Sequence, residues 1–384
     1  MTHPSSASKS AIEVVLERRI RPDVQSMHAY AVQAAAGMVK LDAMENPHRL
    51  VPGLQEALGK RLGAAALNRY PDGRVDDLRA ALAAYAGMPA GFEIMLGNGS
   101  DELISLLSIA CSVPRDTVTG AKPMVVAPTP GFVMYAMSAQ LHGLQFLGVP
   151  LKPDFELDTY AMVEAIAKYQ PAIVYLAYPN NPTANLWDAS SMAHVVAAAA
   201  EVGTLVVVDE AYQPFSSRTY LDVIRKEPDQ HAHVLLMRTM SKFGLAGVRI
   251  GYMLGNAALI AQIDKVRPPY NVSVLNYECA LFALEHADVF ASQAVDIRTQ
   301  RSLLQKAFRA MPGLHAWPSD ANMILVRLDG GADRAQSVFD AMKSSGILVK
   351  NVSKMHPLLA NCLRITVGTA DENQQLLAAL KDIL

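Results

Sequence analysis

Three apolar runs in the middle of the chain are spaced like the strands of a parallel sheet. "AIVYLAY" (172–178), "LVVVDEAY" (205–212) and "HVLLMRT" (233–239) each gather β-branched, aromatic or leucine residues and then turn polar. Their apolar parts end roughly 30 residues apart, the length that one strand–helix–strand unit requires. Between the first two, "SSMAHVVAAAAEVG" is rich in alanine, a strong helix former, and stops at Gly203. Continuous apolar strands alternating with helices predict a mostly parallel sheet between two layers of helices. "MVVAPTP" (124–130) reads as another strand of that sheet.

The last third has a different rhythm. "NMILVRL" (322–328), "GILVKNV" (346–352) and "CLRITVG" (362–368) read as strands, with helical patterns at about 333–345 and 371–383. Such a mixture describes a compact α+β unit. "VRPPYNVS" (266–273) carries two prolines that stop a helix, and reads as the hinge into that unit. The start, "MTHPSSASKSAIEVV", lacks the apolar core of a signal peptide and reads as a frayed end leading into a helix near 11–19. The expected fold class is therefore α/β. An N-terminal arm (1–45) packs with the small domain, a large α/β domain spans 46–270, and a smaller α+β domain spans 271–384, with a cleft between the two domains.

Composition narrows the class of function. Of 384 residues, 51% are apolar and 18% charged, below the average of about 25% charged, as for a chain with much buried surface. Lysine plus arginine number 34 against 36 acidic residues, with no basic stripe, so nucleic acid is not an expected partner. No apolar run reaches the roughly 18 residues that a membrane span needs. Cys111, Cys279 and Cys362 lie far apart without metal-binding spacing, and are expected as buried free thiols in a reducing cytoplasm.

In open α/β sheets, ligands bind beyond the carboxyl ends of the strands. The residues at those ends are Asn180 and Asn181, then Asp209 and Tyr212, then Ser241 and Lys242. "GNGSDELISLL" (97–107) adds a glycine-rich turn opening a helix. Taken singly, these are also ordinary turns, caps and surface residues: Asp209 reads as a helix cap, and Ser100 as the N-cap of its helix. Together they offer an anion site at a helix start, completed by Ser241 and Arg249, plus a carboxylate and an amine. Pyridoxal 5′-phosphate needs all three: an anion site for its phosphate, an acid for its ring nitrogen and a lysine for its aldehyde.

The segments "YPNNPT", "VVVDEAY" and "TMSKFGLAGVRIGY" together resemble the fold-type-I pyridoxal-phosphate aminotransferases. "DAMENP" (42–47), "LNRYPDG" (67–73), "GNGSDE" (97–102) and "NCLRITVGT" (361–369) are similar to the histidinol-phosphate aminotransferase family within them. The resemblance runs in order through nearly the whole chain after about residue 12. It implies that Lys242 binds the cofactor's aldehyde and later carries the proton. It implies that Asp209 pairs with the ring nitrogen, and that Tyr212 and Asn181 hydrogen-bond its phenolic oxygen. The phosphate is expected against Gly99, Ser100 and Asp101, with Ser241, Arg249 and, across a homodimer interface with shared sites, Tyr70. Phe132 is the expected stacking ring, with Tyr135 as the alternative. Arg364 is the expected anion residue for substrate, with Lys350, Tyr30 and Asn46 in the same pocket. No metal is implied.

The implied reaction is reversible transamination of L-histidinol phosphate with 2-oxoglutarate, giving imidazole-acetol phosphate and L-glutamate, in histidine biosynthesis. An aminotransferase for aromatic or other amino acids, and a decarboxylase of a phosphorylated amino acid, share most of these motifs. Three departures from the family stand out, the first being that "PTPGFVMY" carries extra residues, so the family's stacking tyrosine has no clean counterpart. Ala184 replaces the usual glycine after "NPT", which puts a turn with positive φ at issue. Lys350 stands where many relatives have arginine, keeping the charge but losing the fork.

Overall fold

The computed structural model describes residues 10–27, 33–71, 74–113 and 121–384. They form two compact units, one ending at Ala36 and one spanning Gly37–Leu384. In the first, the helix Ala11–Arg19 starts where expected, because Ser10 and Glu13 cap each other's backbone N–H in a reciprocal box. Gln25 then donates to the carbonyls of Leu16 and Ile20, tying the short helix Pro22–Gln25 to it.

The second unit is built on a seven-stranded sheet. In spatial order its strands are Phe92–Gly97, Gly251–Asn256, Val234–Thr239, Leu205–Asp209, Ile173–Ala177, Met124–Thr129 and Gln145–Pro150. Gly251–Asn256 runs antiparallel to both its neighbours, and the other neighbouring pairs are parallel. The three runs read from sequence are thus central, adjacent and parallel, as expected. Each buries side chains on both faces. Val206, Val208, Leu236 and Leu254 join one apolar cluster, while Val207, Leu235, Met237 and Met253 join the other. A strand alternates faces with period two, so only a continuous apolar run fills both layers. The alanine-rich helix, Ala189–Glu201, is capped by Asp188, which accepts from Ser191 N at 2.9 Å.

The register sets the depth of the site. Asp209 pairs with Ala177 on one side and Met237 on the other, while Gly251 faces Thr239 and Gly97. Ala177, Asp209, Thr239 and Gly97 end their strands and Gly251 begins its own, all on the same side of the sheet.

A four-stranded antiparallel sheet joins Lys350–Asn351, Cys362–Thr366, Met323–Leu328 and Leu314–Ala316, flanked by helices Arg334–Ser344 and Ala370–Ile383. One expectation needs correction here. The run 346–352 is not a single strand. Ile347–Leu348 pairs in parallel with Val39–Lys40, and after Val349 the chain turns to pair Lys350–Asn351 with Cys362–Thr366. A segment that serves two sheets has to break between them. The 23-residue helix Ala287–Arg309 was also not anticipated. Among the described residues no helix is long and apolar enough to cross a membrane. Of the three thiols, Cys362 is buried, whereas Cys111 and Cys279 are only half-buried.

Ala184 has φ of 64° and is fully buried. Its N–H donates to Asn180 O, and its carbonyl accepts from Asp320 N, so the turn has little freedom to relax. A left-handed backbone costs an L-residue about 1–2 kcal/mol and costs glycine almost nothing. Ala184→Gly is therefore expected to stabilise the chain by about 0.5–1 kcal/mol, after the loss of a methyl and of unfolded-state stiffness. A higher urea midpoint at equal slope checks this. A lower midpoint would mean that the methyl's packing outweighs the strain.

Candidate active site

Asp209 ends its strand with the side chain at the sheet edge, and the residue is 5% exposed. Its Oδ2 accepts from the Tyr135 hydroxyl at 2.7 Å and its Oδ1 from Ala211 N at 3.0 Å. Burial pushes its pKa up to about 6, and those two hydrogen bonds oppose the shift. Three residues on, burial raises the Tyr212 hydroxyl, and the nearby Arg364 charge partly offsets this. Asn181 Nδ2 donates to that hydroxyl at 3.0 Å.

The glycine-rich turn forms an anion cradle. Gly99, with φ of 81°, caps the helix Ser100–Ala110; the expected cap, Ser100, is instead the first helical residue. A positive φ at the cap suits glycine and moves the first free N–H groups forward by one residue. Gly251 passes directly beneath: a Cβ there would lie 2.6 Å from Gly99 C and 2.7 Å from Ser100 N. A Cβ on Gly99 would lie 2.7 Å from an Arg249 nitrogen. Arg249 completes the cradle, donating to Ser241 Oγ at 3.3 Å and to Asp101 Oδ2 at 3.4 Å. Helix N–H groups, the positive helix end and a guanidinium thus converge on one spot.

Lys242 sits in the irregular turn Ser241–Leu245, where Gly244 has φ of 144°. A Cβ on Gly244 would run into Phe290 and the Asn46 amide. Lys242 Nζ donates to Ala43 O at 3.0 Å and, among the described residues, forms no ion pair. Burial lowers its pKa to about 8, helped by the positive charges of Arg364 and Arg249 and opposed by Glu45 and Asp101. At pH 7 such an amine is neutral far more often than an ordinary surface lysine, though still mostly protonated.

Arg364 is 8% exposed and rises from the Cys362–Thr366 strand. It donates to Asn181 Oδ1 at 2.8 Å and to Asp42 O at 2.7 Å. Asn181 therefore links the Arg364 guanidinium to the Tyr212 hydroxyl. Lys350 is the cross-strand partner of Arg364 and is half-buried.

A cavity of about 340 Å³ is lined among others by Ser100, Asp101, Phe132, Tyr135, Asn181, Asp209, Tyr212, Ser241, Lys242 and Arg249, and Arg364 is hydrogen-bonded to its Asn181. Most of the expected site residues thus meet in one place. Of the other expected residues, Gly99, Arg364, Lys350, Asn46 and Tyr70 are not among its lining. Asn46 does not line the cavity; its amide is engaged with Phe243 O, Gln293 and His48 N. Tyr70 is 76% exposed and stacks on Tyr270 with ring centroids 4.5 Å apart. Tyr30 lies outside the described residues. Sequence reasoning used "DAMENP" (42–47) for its resemblance but gave Asp42–Glu45 no role, although the carbonyls of Ala43 and Asp42 hold Lys242 and Arg364, and Ala43, Met44 and Glu45 line the cavity. It also missed the buried ion pair of Glu210 and Arg238 at 2.8 Å behind Asp209, which the "DE" and "RT" dipeptides at paired strand ends could have suggested.

The cavity fits pyridoxal phosphate. The anion-binding turn, where a Cβ at Gly99 or Gly251 would collide, a buried carboxylate and a lysine with a lowered pKa come together around it.

Comparison with known proteins agrees. Residues 36–380 match the family described as aminotransferase class I and II. The chain is 64% identical, over 99% of its length and all of the relative's, to a histidinol-phosphate aminotransferase of Polaromonas naphthalenivorans (strain CJ2). It is 62% identical to one of Paracidovorax citrulli (strain AAC00-1), covering 94% of this chain and 96% of that one. Among solved structures it is similar to a histidinol-phosphate aminotransferase from Sinorhizobium meliloti in complex with pyridoxal-5′-phosphate. The TM-score is 0.81 at 27% identity, covering 95% of this chain and 97% of that chain.

Proposed function

The chain belongs to the aminotransferase class I and II family, and from that premise we infer that it transfers the amino group of L-histidinol phosphate to 2-oxoglutarate. The products are imidazole-acetol phosphate and L-glutamate, and the step belongs to histidine biosynthesis. The observation that carries this reading is one cavity in which Lys242 lies with Asp209 and Arg249, with Arg364 hydrogen-bonded to its wall.

Bound pyridoxal phosphate supplies an electron sink for the carbon that loses a proton. The chain's own residues do the rest. Ser100, Ser241 and Arg249 bind the phosphate, with Gly99 and Gly251 letting the backbone approach. Asp209 would pair with the ring nitrogen, its negative charge favouring the protonated ring. Tyr212 and Asn181 would hydrogen-bond the cofactor's phenolic oxygen, and Phe132 would stack on its ring. Lys242 Nζ would hold the cofactor's aldehyde and, once freed by the substrate's amine, would be the group that carries the proton between the substrate carbon and the cofactor. Arg364 grips the phosphate of histidinol phosphate or the carboxylate of glutamate, and Lys350 adds a second positive charge. The exposure of Tyr70 supports a homodimer in which that tyrosine reaches the other copy's phosphate. The cytoplasm is the compartment that suits such an enzyme.

The test follows the cofactor's absorbance in the purified chain. L-Histidinol phosphate without keto acid is expected to convert it stoichiometrically to the amine form, faster than threonine phosphate, phenylalanine or aspartate do, and 2-oxoglutarate is expected to reverse it. Conversion mainly by phenylalanine or aspartate would sink the substrate assignment. Release of CO₂ from threonine phosphate would replace transamination with decarboxylation.

Arg364→Lys keeps a charge and loses the fork. A charge-assisted bidentate contact is worth about 2–3 kcal/mol, so kcat/KM is expected to fall about 10²-fold in both half-reactions. A fall confined to one half-reaction would contradict a shared anion site.

A further inference from the structure

The Asp209 carboxylate is not held by its own strand alone. Tyr135, on the helix Met134–Leu141, reaches it from a separate element and lines the cavity. Its ring lies flat on Tyr175, with centroids 4.3 Å apart and planes 7° from parallel. The edge-to-face contact with Phe132, at 5.6 Å, steadies the ring that faces the cavity. Both tyrosines of the stack are at least 98% buried, so water does not compete for the Tyr135 hydroxyl.

We propose that Tyr135 is the positioning residue for Asp209: its hydroxyl donates to Oδ2, fixes the carboxylate's orientation and keeps it ionised for the cofactor's ring nitrogen. This rests on the proposed function and deepens it. With Oδ2 held by Tyr135 and Oδ1 by Ala211 N, the carboxylate plane has one setting. A hydrogen bond donated to a carboxylate favours its charged form, and here it works against burial. The other titratable groups facing Asp209 are Tyr212, Asp101, Glu210 and, behind Tyr135, Tyr175. Lys242 and Arg249 share the cavity. Glu210 is committed to Arg238 and Thr219, and Asp101 to Arg249, so among the described residues Tyr135 is the side chain that hydrogen-bonds to Asp209.

The experiment measures the affinity of the full-length chain for pyridoxamine 5′-phosphate from pH 5 to 9 by equilibrium dialysis. That probe has no aldehyde for Lys242 to capture, so it reports the ring and phosphate contacts. In the unsubstituted chain, affinity is expected to fall as pH drops through about 6. Tyr135→Phe keeps both ring contacts and loses the donor, so its acid limb is expected to move up by about one pH unit. Tyr175→Phe loses a hydroxyl from the same stack and is expected to match the unsubstituted chain. Coincident limbs for Tyr135→Phe and the unsubstituted chain, or an equal shift in Tyr175→Phe, would overturn the proposal. Should Tyr135→Phe not fold, infrared difference spectra of the unsubstituted chain against Asp209→Asn carry the test. They are expected to show a hydrogen-bonded carboxylate that titrates near pH 6, and a free carboxylate would overturn it. Failure of the probe to bind the unsubstituted chain at all would instead strike the proposed function.

Discussion

Lys242→Ala is expected to lower kcat by about 10⁴-fold while leaving phosphate binding intact. The argument starts from the amine's charge. At pH 7 a lysine of ordinary pKa is neutral in only about one molecule in several thousand, whereas one at about 8 is neutral in about one in ten. Burial and the Arg364 charge produce that gain of a few hundredfold. Alanine removes the nucleophile and the proton carrier together. It leaves the Gly99–Ser100 turn and Arg249 untouched, because Lys242 touches neither. The cofactor should therefore still bind, but without a covalent link. Small amines such as methylamine are expected to restore part of the rate by occupying the vacated space beside Ala43. Lys242→Arg should not be rescued, because its guanidinium fills that space and stays protonated. A Lys242→Ala enzyme keeping more than a few per cent of kcat would end the assignment.

What was legible in the chain is what local spacing encodes. Runs ending at Ala177, Asp209 and Thr239 announced parallel neighbours, and reading the residue after each run led to Asn181, Asp209 and Lys242. Arg249 followed because it sits only seven residues beyond Lys242. Contacts set by the tertiary fold were silent. Tyr135 and Asp209 are 74 residues apart, and Arg364 meets Asp42 across 322. No periodicity reports such a meeting. Ser100 looked like a cap because serine prefers that role, yet the close passage of Gly251 requires the preceding glycine to take it. The split of 346–352 between two sheets was hidden for a related reason: an apolar run shows that a segment is buried, not which partner buries it. The family resemblance reached residues such as Arg364 that spacing alone would have left as one more strand arginine.

Asp209→Asn is expected to separate activity from stability, moving them in opposite directions. Asparagine nearly keeps the shape and can still accept from Tyr135 or Ala211 N, but it brings no negative charge to the ring nitrogen. The loss in kcat/KM is expected to be about 10³-fold, comparable to removing a preorganised electrostatic partner from a buried site. Without cofactor, the same carboxylate is a burden to the fold. Its pKa rises from the ordinary 3.8 to about 6, so the folded chain holds this proton more tightly than the unfolded chain does. Stability from this group is present below pH 3.8 and is lost as pH climbs through 6, a difference on the order of 3 kcal/mol. The cofactor-free Asp209→Asn chain is therefore expected to be the more stable of the two at pH 8, and to lose that advantage as the pH falls toward 4. Urea unfolding of both cofactor-free chains at pH 4.5 and 8 reads this directly. Equal curves at both pH values would mean that Asp209 is solvated rather than buried. A less stable variant at pH 8 would make it a structural residue. The predicted pattern, a gain in stability beside a loss of rate, is what a charge kept in a dry cavity for chemistry requires.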